Sequence, residues 1–190
     1  MAWPNDLNVA LKEWAIVCDA LANGRQMILL RKGGISESIG GFEIEHRDFL
    51  FFPTYVHQKK EMLKEAEAGK ILPAESEPAK LKIFLAGKIT DIVVVPSRAV
   101  MDSLDDVHIW GKPLIDMRFN YRPKNPLYLL IVRAYRLNHA VEIENRTEYA
   151  GCKSWVPLEK SIATDGAAAA MGDAEFEDKR KGMLDRIGTA

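Results

Sequence analysis

Apolar residues fall in short runs divided by charged or glycine-bearing stretches, and helical and strand spacings alternate along the chain. Leu7, Leu11, Trp14, Cys18 and Leu21 recur every three or four positions, which predicts an amphipathic helix. Asn5 or Asp6 would cap its start, and Gly24 sits where a helix ends in a left-handed residue. The competing reading is a strand from residue 14 that turns at Asn23-Gly24, since Asn-Gly favours a tight hairpin. Residues 27–31 and 49–52 predict short apolar strands, and residues 54–68 predict a charged helix capped by Thr54. Residues 69–80 predict a loop. Residues 82–85 and 89–95, rich in β-branched side chains, predict strands around a turn at Gly87. A short helix follows Pro96-Ser97 to about Leu104. Residues 127–137 are almost continuously apolar and predict a strand buried on both faces. Residues 154–158 predict a short closing strand.

Short strands with a few helices predict an α+β domain over residues 1–158, with non-adjacent strands closing into a small mixed barrel. Residues 159–172, with Ala167–Ala170 beside glycines, predict a linker; residues 173–190 predict a C-terminal helix capped by Asp173.

Charge changes this picture by what it removes. With 26 Lys+Arg against 27 Asp+Glu the net charge is −1, so any attraction to nucleic acid or membrane must come from a local patch. No apolar run has membrane-span length, and the first residues lack the basic-then-apolar order of a secretory signal. Cys18 and Cys152 are too few and too far apart for a disulfide framework, which makes a reducing cytoplasm the default location. His46, His57, His108 and His139 lack metal-ligand spacing, and Gly-x-Gly-x-x-Gly is missing, so neither a metal nor a cofactor is expected.

Four constellations carry candidate chemistry. Arg31 and Lys32 end an apolar strand ahead of Gly33 and Gly34, whose backbone would form an anion nest; solvated cations at an ordinary turn are the alternative. Glu45, His46 and Arg47 precede the run 49–52, and His57 and Gln58 follow it. Glu45, His46 and His57 suit proton transfer or contacts to base edges, against ion pairing and helix capping. His108 and Trp110, with Arg118, Tyr121, Arg122 and Lys124, interleave cations with aromatics as single-stranded nucleic acid requires, against a loop with an aromatic anchor. Cys152 could serve as a nucleophile beside a histidine, or stay inert; Lys153 and Trp155 could line a base pocket.

The segments Leu11-Lys12-Glu13-Trp14, Leu30-Arg31-Lys32-Gly33-Gly34-Ile35, Phe49-Leu50-Phe51-Phe52-Pro53-Thr54-Tyr55, His57-Gln58, His108-Ile109-Trp110 and Gly151-Cys152-Lys153-Ser154-Trp155 resemble a bacterial family known only as domain of unknown function 1802. That resemblance implies a role beside restriction-type nucleases or in phage defence. The chain itself lacks the Glu-x-Lys of such a nuclease core, because Glu43-Ile44-Glu45-His46 has no lysine. Gly24 and Arg31 are also similar to the Gly-x-Lys-x-x-Glu-x-Arg signature of ASCH domains in the PUA-like superfamily, with Gln26 and Leu29 departing from it. This second resemblance implies a PUA-like barrel and binding of RNA or modified bases; some ASCH members act as ribonucleases or nucleoside hydrolases.

The combined expectation is a module that binds DNA or RNA and reads a modified or flipped base. Its site is Arg31, Lys32, Gly33, Gly34, Arg47, His57, Gln58, His108, Trp110, Arg118, Tyr121, Arg122 and Lys153. One alternative is an enzyme acting on nucleic acid or nucleoside through Glu45, His46 and His57. Another is an adaptor for a partner such as a nuclease, docking through Phe176, Met183, Leu184 and Ile187 of the last helix.

Overall fold

The polar–apolar alternation of the first segment is used by a strand before it is used by a helix. The computed structural model describes residues 3–32, 37–38, 41–42, 45–71, 74–151 and 153–188. Strand β1 spans Asp6–Trp14 and helix α1 spans Ala15–Ala22, so the expected helix from residue 7 begins one strand later. The reason is burial on two faces: Ala10 and Leu11, adjacent in sequence, enter different hydrophobic clusters on opposite sides of a sheet. A helix would have exposed one of them. Helix α1 ends as expected, with Gly24 at φ +65° and the Arg25 N–H donating to the Ala20 carbonyl at 2.9 Å.

The remaining elements are β2 (Ile28–Arg31), β3 (Glu37–Ser38), β4 (Gly41–Phe42), β5 (Asp48–Thr54), α2 (Glu65–Ala68), β6 (Lys80–Val95), α3 (Arg98–Ser103), α4 (Lys112–Asn120), β7 (Leu127–Glu144), β8 (Trp155–Ala163), β9 (Ala168–Ala169) and α5 (Asp173–Gly188). The main sheet runs β2-β7-β6-β5-β1-β8, with β9 added to β7, and its path is open at β2 and β8. It is mixed: β1 and β5 pair in parallel, and the other pairs are antiparallel. The fold is α+β, with helices packed on the sheet and a helix at its C-terminal end.

Three expectations change in three dimensions. Residues 54–68 form the end of β5, a turn, a short 3-10 helix and α2 instead of one long helix. Gly87 lies inside a single strand, β6, where a Cβ would meet Phe51 at 2.8 Å, Val132 at 3.0 Å and Phe49 at 3.1 Å. It is a close-packing glycine and not a turn. The residues read as a linker join the sheet: 159–163 continue β8, and Ala168 and Ala169 pair with Arg136 and Tyr135.

Register breaks in β6 also have a use. Leu81 and Ile83 enter one hydrophobic cluster and Leu85 enters the other, although all three are two apart. A bulge between Ile83 and Leu85 switches the face. Helix α5 buries Phe176, Met183 and Ile187 in the larger cluster, so the stripe proposed for an adaptor packs inside the molecule.

Candidate functional site

Parallel pairing of β1 with β5 sets Trp14 beside Thr54, so both strands end at the same edge of the sheet. The end of β2 arrives there with Arg31 and Lys32. The loop before β8 runs alongside β1, the Lys12 N–H donating to the Ser154 carbonyl at 2.9 Å. The last turn of α4 supplies Arg118, and Tyr121 follows it. Between these segments lies a cleft of about 500 Å³ lined by Lys12, Glu13, Trp14, Arg31, Lys32, Thr54, His57, Arg118, Tyr121, Gly151, Lys153 and Ser154.

Five of those side chains are cations and one, Glu13, is a carboxylate. The carboxylate is already engaged. Arg31 donates through Nη1 to Glu13 Oε2 at 2.9 Å and to the Leu30 carbonyl at 3.0 Å, and through Nη2 to the Lys12 carbonyl at 3.2 Å. The other Glu13 oxygen accepts from the Trp14 N–H at 2.9 Å. Lys12 Nζ donates to the Gly151 carbonyl at 2.9 Å. Lys32 Nζ donates to the Phe119 carbonyl at 2.6 Å, one of the carbonyls that a helix end leaves without an intrahelical partner. That cation sits at the negative end of α4 and fixes its last turn against β2. Burial holds the Lys32 ammonium below the ordinary lysine pKa.

Arg118 differs from these. Its Nε is sealed from solvent and has no hydrogen-bond partner. Burial, and after it the Arg31 charge, lowers its pKa from the usual arginine value, while Glu13 acts in the opposite sense. A guanidinium does not lose its proton in proteins, so the cost is carried as an under-solvated charge at the cleft wall. Tyr121 at the rim is 52% exposed, with the Arg122 guanidinium 5.4 Å from its ring centre.

Of the residues expected from sequence, the cleft thus gathers Arg31, Lys32, His57, Arg118, Tyr121 and Lys153. Gly33 and Gly34 lie outside the described residues, as does Cys152. The others stand elsewhere or play other parts. Arg47 Nη1 lies 3.5 Å from the Ile89 carbonyl. Gln58 caps α1, its Oε1 accepting from the Ile16 N–H at 2.8 Å. His108 and Trp110 are buried, their rings 5.3 Å apart, and Arg122 has φ 44° in the turn after α4. Glu45 and His46 pair at 3.9 Å, with His46 edge-on to Trp155 at 5.3 Å; neither lines the cleft with His57. Lys12, Glu13, Trp14, Thr54 and Ser154 were not expected. All five fall in the family-like segments, but the helical spacing of Leu7–Leu21 concealed the strand that aims the first three.

The model of a family described as domain of unknown function (DUF1802) matches residues 10–182. The chain belongs to this family. The match includes every segment that builds the cleft. Comparison with curated proteins finds no match. Among solved structures, a crystal structure of a mutant ZmASCH protein from Zymomonas mobilis is similar at 10% identity, covering 95% of this chain and 98% of that one with a TM-score of 0.43.

In this DUF1802 chain, Gln26 is a structural tie. Its Nε2 donates to the Ile28 carbonyl at 2.8 Å and its Oε1 accepts from the Ile109 N–H at 3.0 Å. Leu29 is fully buried in the core, and the acid that meets Arg31 comes from β1 as Glu13.

Proposed function

We propose that this DUF1802 chain is a nucleic-acid-binding module whose contact site is the cationic cleft at the ends of β1, β2 and β5. The observation that carries the reading is the imbalance of charge: five cations against one carboxylate that Arg31 already occupies, in a chain of net charge −1. Arg118 and Lys153 would meet phosphate, and Tyr121 and Trp14 offer faces for stacking a base, including a modified or flipped one. A setting beside restriction nucleases belongs to the same reading. The acid–base alternative is weaker, because only His57 of its three residues lines the cleft.

Arg31 and Lys32 are poor test positions, since both hold the fold through Glu13 and Phe119. The test is fluorescence anisotropy of the purified chain with single- and double-stranded DNA and RNA at two salt concentrations. Arg118→Met with Lys153→Ala is expected to weaken binding at least tenfold. It should also make the slope of log K against log salt shallower by roughly 1–2, about 0.7–0.9 per lost phosphate contact. Unchanged affinity and slope would remove the cleft from the function.

A further inference from the structure

The other cavities differ in charge. One, about 750 Å³ between α5 and the start of β2, sets Arg25, Lys64, Lys179 and Arg186 against Glu67, Asp106 and Asp178. Its charges are joined: Arg25 pairs with Glu67, and Arg186 with Asp106 at 2.6 Å. The cavity between β7 and β8, about 380 Å³, carries Glu142, Glu144 and Glu159 against Arg146 and Lys160. Among these cavities the cationic excess is greatest in the 500 Å³ cleft, five cations against one carboxylate, compared with four against three and two against three.

That concentration distinguishes two kinds of phosphate. A protein that follows a strand spreads its cations along a groove, each near a singly charged diester. Here the cations come from separate segments and line one concave space, of a size that holds a small molecule. A terminal phosphate monoester carries about −1.5 to −2 charges at neutral pH and three acceptor oxygens. It can accept from several converging donors at once. A diester offers two free oxygens and one charge. Arg118 lines the cleft with an under-solvated charge, so it is the cation that gains most from a compact dianion.

We propose that the cleft receives a single phosphate monoester on a nucleoside, presented as the end of a strand or as a free nucleotide, rather than the internal diester backbone. This rests on the nucleic-acid reading above and narrows it. Tyr121 and Trp14 would then flank the nucleoside next to the phosphate.

The experiment uses the full chain and labelled ten-nucleotide DNA and RNA strands with a 5′-phosphate, a 3′-phosphate, a terminal methyl phosphate ester, or hydroxyls at both ends. Unlabelled nucleoside monophosphate and inorganic phosphate serve as competitors. One phosphorylated strand is expected to bind at least tenfold tighter than its hydroxyl twin. The methyl ester should lose most of that advantage, and so should Arg118→Met. Competition by the mononucleotide at concentrations where inorganic phosphate fails would extend the ligand to free nucleotides; failure of both would restrict it to strand ends. Equal binding of phosphorylated and hydroxyl strands would overturn this inference and leave nucleic-acid binding standing. Binding of the mononucleotide without any strand would keep the monoester pocket and overturn the nucleic-acid module. No binding by any probe would overturn both.

Discussion

At the scale of single residues, the cleft trades stability for charge. Arg118→Met keeps the aliphatic contact and removes a half-buried guanidinium whose Nε is unsatisfied. The expected outcome is a variant about 1 kcal/mol more stable in urea denaturation, together with the loss of affinity described above. A variant that lost stability as well would mark Arg118 as a structural residue. His108, buried outside the cleft, gives a second test. Burial, and after it the Lys64 charge, lowers its pKa to about 4, while Asp105, Asp106 and the Trp110 backbone oppose the shift. The folded state therefore holds His108 neutral where the unfolded chain, with an ordinary histidine pKa near 6.5, takes up a proton. Its stabilising contribution is complete above about pH 6.5 and is lost as pH falls toward 4, by about 3 kcal/mol at most. His108→Leu should flatten that part of the stability–pH profile, as followed by urea melts at stepped pH. Arg31, Lys32, Arg118 and Lys153 could be chosen from sequence because cations near apolar runs stand out. Glu13 could not, because its role depends on a carboxylate from one strand meeting a cation from another.

At the scale of elements, the sequence readings failed where one spacing serves two geometries. Leu7, Leu11 and Trp14 satisfy a helical stripe, yet β1 is chosen because β5 and β8 pair with its two edges and the two clusters cover its two faces. The long β6 hid behind Gly87, a residue that usually signals a turn. Its requirement for a bare Cα predicts that Gly87→Ala destabilises the chain by about 1–3 kcal/mol through contact with Phe51, Phe49 and Val132. Thermal or urea melts check this, and a neutral result would mean that β6 can shift away from β5. Helix α5 was legible from its cap and its period, but its destination was not. Phe176→Ala should cost about 3–5 kcal/mol, because the ring is 2% exposed and lies 4.9 Å from the Arg133 guanidinium. A small loss with new binding to a protein partner would revive the adaptor reading.

At the scale of the whole molecule, the decisive quantity is where charge lies, not how much there is. A net charge of −1 predicts weak general attraction to polyanions, so binding should fall steeply with salt only as far as the cleft's few contacts allow. A wild-type slope corresponding to about two phosphate charges, the charge of one terminal monoester, fits the cleft; a much steeper one would require a second basic surface. The sequence by itself determined the residue types available, the apolar runs that become strands, the Gly24 helix stop, the Ser97 cap of α3 and the terminal helix, because these follow from local spacing and backbone preference. Tertiary packing alone made β1 a strand and brought 159–163 and Ala168–Ala169 into the sheet. It alone set Lys12, Arg31, Arg118 and Lys153 around one cleft while burying Trp110 and His108 away from it. Those outcomes depend on which surfaces lie against each other, and sequence spacing carries no information about contacts between residues a hundred positions apart.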